Sequence, residues 1–380
     1  MSDSSLMNGE NGLKKVTSLL PTNGGNGSYS YFKNSYYQRI SAIFEHKKIS
    51  EEIAEKFDVE DLSLSKAIRI ADLGCATGPN TIMNMLNIVE AIKQKYEANK
   101  CPAIPSTRPE FQLFFNDLVT NDFNTLFKSL PEDRDYFVAG VPGSFLDRIF
   151  PESSLHFVYT SHSLHWLFKL PAELEEENSP AWNKGRVHYT NAPDDVADAY
   201  KSQFCEEVRK FLDARAKELV GGGMLVIIMS GTPVDLPLSS TANGKMFEFM
   251  ASTLMEMVRE GLIKESQVDS FNLPLYQSAS PEEIVDIVER NGCFSIERLE
   301  LSKPSSWLKG AAVDVPAWMM HARAAMEGNF IKHFGSNEVV DEVFKRLTKK
   351  HLDHSELLPQ WCNQDVQLFI VLKRKKIISM

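Results

Sequence analysis

The sequence predicts an α/β fold in which a doubly wound sheet of seven strands carries a helical cap. Three observations support this. Apolar runs typical of strands alternate with helical periodicities, a glycine turn links the first strand to a helix, and two stretches near residues 165–190 and 232–350 break the alternation. We expect these two stretches to form the cap. Residues 28–380 would then be a single domain, after a Ser-, Asn- and Gly-rich start, residues 1–27, that we expect to be disordered.

The composition excludes several classes of protein. Lys and Arg number 41 against 51 Asp and Glu, a net charge of −10, which argues against binding to the phosphate backbone of nucleic acids. No run approaches the roughly 18 apolar residues of a membrane span, and the first 27 residues lack the apolar core of a secretory signal. The five cysteines are an odd number without a C-x-x-C pair, which is typical of a reducing compartment. We therefore expect a cytoplasmic protein without nucleic-acid or membrane partners.

The sheet is organised around the segment Ile68–Thr81, which reads I-R-I-A-D-L-G-C-A-T-G-P-N-T. Its apolar start predicts a buried strand that ends at Asp72, and Pro79 fits the first turn of the helix that follows. Three residues separate Gly74 from Gly78, so the middle glycine of the dinucleotide-binding G-x-G-x-x-G motif is missing. The turn suits a ligand with a cationic amino-acid end, such as S-adenosylmethionine (SAM), although a plain strand-to-helix turn would have the same pattern.

The segment before this strand, Gly24–Gln38, is dense in aromatic and polar residues and leads into a helix predicted over residues 36–57. Such a patch either packs that helix onto the rest of the domain or contributes to a binding site. The residues alone favour packing.

The second strand of the sheet is predicted over Phe111–Leu118 and contains Asn116 and Asp117 near its end. In parallel α/β sheets, ligands lie at the carboxyl ends of the strands. A carboxylate there can accept hydrogen bonds from both ribose hydroxyls of an adenosine. Asp117 is therefore a candidate cofactor ligand, and the alternative is that it caps the helix that begins near Asp122.

Two further strands end in candidate site residues. Tyr136–Val141 runs into the turn Pro142–Phe145, which can present a backbone amide, a hydroxyl and an aromatic face to an adenine. Leu155–Thr160 is followed by Ser161–Trp166, whose two histidines and tryptophan could line a substrate pocket. No further ligand falls at regular spacing, so the segment does not predict a metal site, and a histidine of this kind is often structural.

The rest of the chain supplies the remaining strands, helices and the cap. We predict strands over Met224–Ser230, Cys293–Leu301 and Val366–Arg374, and helices over Pro193–Val220, Gly244–Gly261, from Pro281 and over residues 312–352. The helix over Gly244–Gly261 has a methionine-rich face that is expected to belong to the core. Four side chains of the cap are expected to set substrate specificity: Trp307, Trp318, Met319 and Met320.

Five segments of the chain together resemble the plant SABATH methyltransferases. They read S-Y-x-x-N-S-x-x-Q, A-D-L-G-C-x-x-G-P-N, F-N-D-L-x-x-N-D-F, G-V-P-G-S-F and S-L-H-W-L, and the resemblance extends from Tyr31 to about Lys373. The stretches A-W-N-K-G-R-V-H-Y and D-S-F-N-L-P are most similar to the carboxyl-methylating branch that includes loganic acid methyltransferase. The resemblance implies a class I methyltransferase fold, SAM as cofactor, and methyl transfer to a small iridoid, phenolic, terpenoid or hormone-like carboxylic acid.

The resemblance also implies which residues bind the ligands. Transferred position by position, the SAM site comprises Tyr31, Cys75, Asn80, Asp117, Leu118, Ser144 and Phe145, supported by Asp72 and Gly74. Gln38 and Trp166 match the positions that hydrogen-bond the substrate carboxylate, with His162 and His165 beside them. The family usually has tyrosine where this chain has His162, and many members have tyrosine where it has Leu146. The shape and polarity of the pocket are therefore expected to differ here.

Some members of the family bind a magnesium ion near the cap, and the matching positions here are Asn183, Asp269, Phe271 and Asn272. Phe271 can contribute only its backbone carbonyl, and an all-oxygen set of this kind suits Mg²⁺. The alternative is that Asp269–Asn272 forms a hydrogen-bonded turn ahead of Pro274. If the ion is present, we expect it to be structural.

The implied reaction needs little acid–base chemistry. A carboxylic acid has a pKa near ~4 and is a nucleophilic carboxylate at neutral pH, so the protein has only to align one oxygen with the methyl group of SAM. The alternative within the family is N-methylation of a xanthine, for which His162 or His165 could act as base. An alternative of another class is a protein that binds a small acid without turning it over. The resemblance also suggests a homodimer.

Overall fold

The fold is built on a mixed sheet. The computed structural model describes residues 19–58, 67–99, 109–233, 235–304 and 313–376. In these ranges the strands are β1 (Ala67–Leu73), β2 (Glu110–Asp117), β3 (Tyr136–Pro142), β4 (Leu155–Ser161), β5 (Leu219–Ser230), β6 (Phe294–Ser302) and β7 (Gln367–Arg374). They lie in the order β3-β2-β1-β4-β5-β7-β6, and β7 runs antiparallel to both of its neighbours. The predicted seven-stranded α/β fold is confirmed.

Helices cover the sheet and form the cap. They are α1 (Tyr31–Asn34), α2 (Tyr36–Lys56), α3 (Pro79–Ala98), α4 (Phe123–Lys128), α5 (Asp194–Glu218), α6 (Ala242–Arg259), α7 (Glu265–Asp269), α8 (Pro281–Asn291), α9 (Val315–Phe334), α10 (Asn337–Asp353) and α11 (Leu358–Cys362). The helix predicted over residues 312–352 is in fact two helices. Gly335 ends α9 with a left-handed φ of 70°, and Ser336 caps α10 by accepting a hydrogen bond from Val339 N–H. None of the described helices is both long and apolar enough to cross a lipid bilayer.

The sheet separates two apolar layers, because alternate side chains of a strand point to opposite faces. On β5, Met224, Val226 and Ile228 pack in one layer with α2 and α3, whereas Leu225 and Ile227 pack in the other with α5 and α8. Since both faces are covered, the central strands are mostly apolar. The polar residues of the site lie at the carboxyl ends of the strands, such as Asp117 of β2, in the loops that follow, and on helices packed over these ends, such as Gln38 of α2.

A third apolar cluster belongs to the predicted cap. It is formed by side chains of α6, α7, α9, α10 and α11, and it contains Met246, Met250, Leu254 and Met257 from one face of α6. The methionine-rich face therefore lies in a core, as predicted. Within the predicted cap segment 232–350, however, α8 packs in a sheet layer and β6 is an edge strand of the sheet. These two elements do not belong to the cap.

The beginning of the described chain packs across the cap. Leu19 is only 8% exposed, and Asn23 N–H donates to Ala324 O of α9 at 2.9 Å. Asn23 O in turn accepts a hydrogen bond from Tyr31 N–H at 2.9 Å. The prediction of disorder therefore does not hold for residues 19–27, because tertiary hydrogen bonds compensate for their polar composition. Residues 1–18 lie outside the described part of the chain.

Candidate active site

The turn after β1 is shaped for the close approach of a ligand. Gly74 and Cys75 both donate their backbone N–H to Asn116 O, at 2.9 and 3.0 Å, which ties the turn to the end of β2. Gly74 has a φ of 82°, and a Cβ atom there would lie 2.1 Å from Ser163 Oγ. Only glycine fits this position. At Gly74 no side chain therefore covers the backbone of the turn at the carboxyl edge of the sheet.

Asp117 ends β2 and faces this turn. Its Oδ2 accepts a hydrogen bond from Ala76 N–H and its Oδ1 accepts one from Leu118 N–H, both at 2.8 Å. Burial raises the pKa of the carboxyl to about 6, although these two N–H groups favour the charged form. Each oxygen keeps a lone pair for a ligand hydroxyl. The capping role belongs to Asp122 instead, whose Oδ1 accepts from Thr125 N–H at 3.0 Å.

A cavity lies over the ends of β1 and β2, and we call it the turn cavity. Five residues predicted for the SAM site line it: Tyr31, Gly74, Asp117, Leu118 and Phe145. The Phe145 ring is held edge-on by two other rings, with centroids 5.1 Å from that of Phe168 and 5.8 Å from that of Phe211. The cavity therefore combines a carboxylate, bare backbone and a fixed aromatic face, which together suit an adenosine.

Four residues predicted for the SAM site do not line the turn cavity: Asp72, Cys75, Asn80 and Ser144. Asp72 is buried and accepts a hydrogen bond from the Thr81 hydroxyl in the first turn of α3. Burial raises the pKa of Asp72 to about 7. Cys75 is also buried and packs in a sheet layer. Both side chains therefore stabilise the turn and do not line the cavity.

The side chains of Asn80 and Ser144 are likewise engaged by the protein. Asn80 Nδ2 donates to Ser35 O at 2.9 Å, and Asn80 Oδ1 accepts from Arg39 Nε at 3.0 Å. Ser144 Oγ accepts a hydrogen bond from Leu146 N–H at 3.2 Å. Asn80 therefore joins α3 to the start of α2, and Ser144 shapes the loop after β3.

The turn cavity has one wall that the sequence analysis missed. Leu19, Leu20, Pro21 and Thr22 line it, and Ala325 of α9 lies on the same side. The apolar run Leu19-Leu20-Pro21 within a polar stretch is the only signal in the sequence that could have pointed to it. Ala76 and Phe168, which were not predicted, also line it, and so do Gly143, Ser161 and Ser163 of the two predicted loops that follow β3 and β4.

A larger cavity, which we call the cap cavity, opens between the sheet and the cap. All four residues predicted to bind the substrate line it: Gln38, His162, His165 and Trp166. Three of them, Gln38, His162 and Trp166, line the turn cavity as well, together with Ala325. A group carried in one cavity and its acceptor in the other would therefore meet beside these side chains.

Only one of the described cap side chains that were expected to set substrate specificity lines the cap cavity. Trp318 lines the cap cavity, whereas Met319 packs in the cap core and Met320 is not part of the wall. Trp307 lies outside the described residues. Lining residues that were not predicted include Ser230, Asn243, Met246, His321, Met326 and Asp365.

Gln38 and Trp166 keep hydrogen-bond donors free where the two cavities meet. Gln38 Oε1 is buried without a hydrogen-bond partner, and no described residue accepts from Gln38 Nε2 or from the Trp166 indole N–H. The backbone of Trp166 is fixed, because its N–H donates to Ser163 O at 3.1 Å and it forms an antiparallel bridge with Leu275. Neutral donors of this kind can orient a carboxylate without neutralising it.

The tautomer of His162 follows from a chain of hydrogen bonds. Gln367 Nε2 donates to Glu45 Oε1 at 2.6 Å, so Gln367 Oε1 is left to accept the proton of the Ser41 hydroxyl. The Ser41 oxygen must then accept from His162 Nε2–H, at 2.8 Å. Burial lowers the pKa of His162 to about 4, so the ring is neutral at pH 7 and its Nδ1 is an acceptor.

The tautomers of two other histidines of the cap cavity also follow from their hydrogen bonds. Ser230 N–H donates to His165 Nδ1 at 3.2 Å, so His165 carries its proton on Nε2. His321 Nδ1 lies 3.0 Å from Asn34 O, which can only accept, so His321 carries its proton on Nδ1. Burial lowers the pKa values of His165 and His321 to about 3 and 4. The cavity therefore contains neutral imidazoles rather than cations.

The residues predicted for a magnesium ion lie together in the cap. Asn183 Nδ2 donates to Asn272 Oδ1 at 2.8 Å, and Gly185 N–H donates to Asp269 Oδ1 at 2.9 Å. Asn183 Oδ1 is buried and has no hydrogen-bond partner among the described residues. A buried oxygen without a partner fits a hard cation. The described ranges hold no group of three or more His, Cys, Asp or Glu side chains that could bind a metal.

Phe271, the fourth predicted metal ligand, is a core residue. Its ring centroid lies 4.7 Å from that of Phe330 and 5.2 Å from that of Phe334. Its N–H donates to Val268 O at 3.1 Å, so the backbone here forms the hydrogen-bonded end of α7. This hydrogen bond spans Val268–Phe271, one residue before the turn over Asp269–Asn272 that was the alternative to a metal site, and Phe271 could offer an ion only its carbonyl.

Comparison with known proteins relates the whole chain to one family. Residues 17–375 match the family described as SAM dependent carboxyl methyltransferase. A loganic acid O-methyltransferase from Catharanthus roseus is 43% identical over 360 residues, which cover 93% of this chain and 94% of the relative. A farnesoic acid carboxyl-O-methyltransferase from Arabidopsis thaliana is 37% identical over 353 residues, with 92% and 97% covered.

Two further comparisons bear on the fold and on the alternative reaction. The solved structure of a loganic acid methyltransferase with SAH superposes with a TM-score of 0.89 at 41% identity, and the match covers 95% of this chain and all of that one. A 3,7-dimethylxanthine N-methyltransferase from Camellia sinensis var. assamica is 37% identical over 362 residues, which cover 91% of this chain and 94% of the relative. The fold is therefore that of a class I methyltransferase.

Proposed function

This chain belongs to the family of SAM-dependent carboxyl methyltransferases, and we propose that it binds SAM in the turn cavity and its acid in the cap cavity. The protein is an enzyme that transfers the methyl group of SAM to a small carboxylic acid and so forms a methyl ester. One observation carries the assignment of the two sites: Gln38 and Trp166, whose donors are free, line both cavities. The acid and the methyl group would meet there.

The residues of this chain position the substrate rather than activate it. A carboxylic acid with a pKa near ~4 is already a carboxylate at pH 7, so no base is needed. SAM supplies a methyl group that its sulfonium makes electrophilic. Gln38 Nε2 and the Trp166 N–H orient the carboxylate by neutral hydrogen bonds and leave the charge on its oxygens. A guanidinium in their place would lower the nucleophilicity of the reacting oxygen.

The burial and the hydrogen bonds of the histidines argue against N-methylation of a xanthine. That reaction needs a base, and His162 and His165 were the candidates. Burial lowers their pKa values to about 4 and 3, so each is a weak base. In addition, His162 Nε2 donates to Ser41, so only Nδ1 of this ring could accept a proton. We therefore propose carboxyl methylation as the activity of the cap cavity.

The experiment that tests this function is methyl transfer from labelled SAM to a panel of iridoid, phenolic, indole and terpenoid acids, with xanthines assayed separately. Label in a base-labile ester supports the proposal, and division of the active pool then identifies the acid. Label that appears only with xanthines would overturn it. Loganic and farnesoic acids, which the names of two relatives contain, are the first two acids to try.

We expect the affinity for SAM to fall as the pH is lowered through about 6, the value to which burial raises the pKa of Asp117. Above that pH the carboxylate can accept the ribose hydroxyls and attract the cationic ligand, and protonation removes both interactions. Asp117→Asn is expected to weaken binding about 10- to 100-fold at pH 8 and to abolish this pH dependence. Isothermal titration calorimetry with SAM from pH 5 to about 8 measures both effects.

The control for this prediction is Asp72→Asn. The pKa of Asp72 is raised to about 7 by burial, but its side chain does not line the turn cavity. An asparagine there can still accept from the Thr81 hydroxyl. The loss of affinity near pH 6 should therefore persist in this variant. An identical pH profile for the wild type and Asp117→Asn would contradict the assignment.

We propose that a structural Mg²⁺ is held in the cap by Asn183 Oδ1, Asp269, Asn272 and the Phe271 carbonyl. The buried, unpartnered Asn183 Oδ1 supports this proposal. Mg²⁺ at 100 times its Kd is expected to raise the free energy of unfolding by about 2.7 kcal/mol, and Asn183→Ala should abolish this effect. Thermal denaturation of chelator-treated protein, with and without Mg²⁺, measures it. Equal melting temperatures would favour the plain hydrogen-bonded turn.

We also propose that the enzyme is a cytoplasmic homodimer. Cys75, Cys205 and Cys293 form no disulfide bond with another described residue, which agrees with a reducing compartment. The strand β3 is an edge of the sheet, and Phe137 on it is 61% exposed, which offers an apolar surface to a second copy. Sedimentation equilibrium of the wild type and of Phe137→Lys tests the oligomeric state.

A further inference from the structure

Asp365 is a carboxylate in the wall of the cap cavity that the mechanism does not use. It lies between α11 and β7, where its N–H donates to Cys362 O at 3.1 Å, so its backbone is fixed. It lines the cap cavity but not the turn cavity, so it is not among the side chains that line both. Asn243 Nδ2 donates to its Oδ1 over a long 3.4 Å, and the Asn243 backbone N–H and the Thr241 side chain also favour its charged form. Among the described residues no Lys or Arg forms an ion pair with it.

The surroundings of this carboxylate are largely apolar. Met246 and Trp318 line the same cavity, and burial raises the pKa of Asp365 to about 7. Only neutral groups of the described residues favour its charged form, so a further donor supplied by the substrate, above all a cationic one, would stabilise the carboxylate.

We propose that Asp365 binds an O–H or N–H donor on the part of the substrate remote from its carboxylate. This inference rests on the proposed function, in which Gln38 and Trp166 hold the carboxylate where the two cavities meet. The substrate is then a small acid that carries a hydroxyl or an ammonium group at its other end. A wholly apolar acid would supply no donor to Asp365, and a second carboxylate would be repelled by it.

The test compares acids that differ only at the end remote from the carboxyl group: decanoic acid, its terminal hydroxy derivative, its terminal amino derivative and decanedioic acid. Methyl transfer from labelled SAM to each acid gives kcat/KM for the full-length protein. In the wild type, kcat/KM for the hydroxy acid or the amino acid is expected to exceed that for decanoic acid by a factor of about ten or more. This is the factor expected from one hydrogen bond to a charged group. The diacid is expected to be the poorest substrate.

Two variants of Asp365 separate the hydroxyl from the ammonium group. Asp365→Leu is expected to remove the preference for both derivatives and to raise kcat/KM for decanoic acid. Asp365→Asn keeps an acceptor oxygen but loses the charge, so it should retain a preference for the hydroxy acid, lose that for the amino acid, and accept the diacid. Asp353→Leu, at the exposed end of α10, is the matched control and is expected to change none of the four values.

The outcomes distinguish this inference from the function on which it rests. If esters form but the ratio of hydroxy acid to decanoic acid is the same in the wild type and in Asp365→Leu, the inference is overturned and the proposed function stands. If neither these four acids nor the wider panel of acids gives an ester while SAM binds, the proposed function fails and the inference fails with it. Circular dichroism and the SAH affinity of each variant show whether it is folded, so that a lost substrate preference can be distinguished from unfolding.

Discussion

Replacement of Trp166 by phenylalanine, or of Gln38 by leucine, is expected to lower kcat/KM for the acid about 10- to 100-fold. Each change removes one hydrogen bond to a carboxylate, and a hydrogen bond to a charged group contributes about 1.5–3 kcal/mol. Both donors are free in the described structure, so their loss leaves no protein group unsatisfied. Rates of methyl transfer from labelled SAM measure the effect.

The decisive companion measurement is the affinity for SAM, because Gln38 and Trp166 line the turn cavity too. We expect calorimetric Kd values for SAM to change less than about threefold, since the lost hydrogen bonds serve the acid. Gln94→Leu, on the exposed face of α3, is the matched control and should alter neither quantity. A loss of SAM affinity that accounts for the whole loss of activity would refute the assignment of these two residues.

The sheet and the cofactor turn could be predicted because their signals are local. Apolar periodicity located every strand, and the spacing of Gly74 and Gly78 indicated the turn. The side chain of Asp117 could be assigned because parallel strands end at the same edge of the sheet. Its alternative role as a cap was removed only by the structure, in which Asp122 caps α4.

The rest of the site could not be predicted, because it depends on contacts between distant parts of the chain. The order of β6 and β7 depends on antiparallel pairing at one edge of the sheet. The tautomer of His162 depends on Ser41 and Gln367, which are separated by more than 300 residues in the sequence and meet only in the fold. Asn80 belongs to a motif that was transferred as a whole, yet both ends of its side chain bind α2 and the residue before it.

The ion pair of Arg215 and Glu218 leads to the second large expected effect, on stability. Both side chains are fully buried, with 2.7 Å between Arg215 Nε and Glu218 Oε2. Arg215 also donates to Phe145 O at 2.5 Å and to Asp147 O at 3.0 Å. Removing one partner of a buried pair leaves an uncompensated charge. Arg215→Met is therefore expected to lower the free energy of unfolding by about 3–5 kcal/mol.

The same pair positions part of the turn cavity. Glu218 Oε1 accepts hydrogen bonds from Ile149 N–H and Phe150 N–H, at 2.6 and 2.9 Å, so the pair holds the loop after β3 at four of its residues. Phe145 lies in that loop and lines the cavity. In Arg215→Met we consequently expect SAM to bind more weakly even at temperatures where the variant is folded. Urea denaturation and calorimetry measure the two effects separately.

Two further variants decide whether the charge or only the packing of Arg215 matters. Arg215→Met/Glu218→Gln removes both charges but keeps an acceptor for the two N–H groups, so it should be more stable than Arg215→Met alone. Arg290→Met breaks a pair with Asp286 of similar length, 2.9 Å, whose side chains are 77% and 54% exposed. It should change the unfolding free energy by no more than about 0.5 kcal/mol. If all three variants lost the same stability, the isolated charge of Glu218 would not be the cause, and the loop after β3 would owe its position to packing alone.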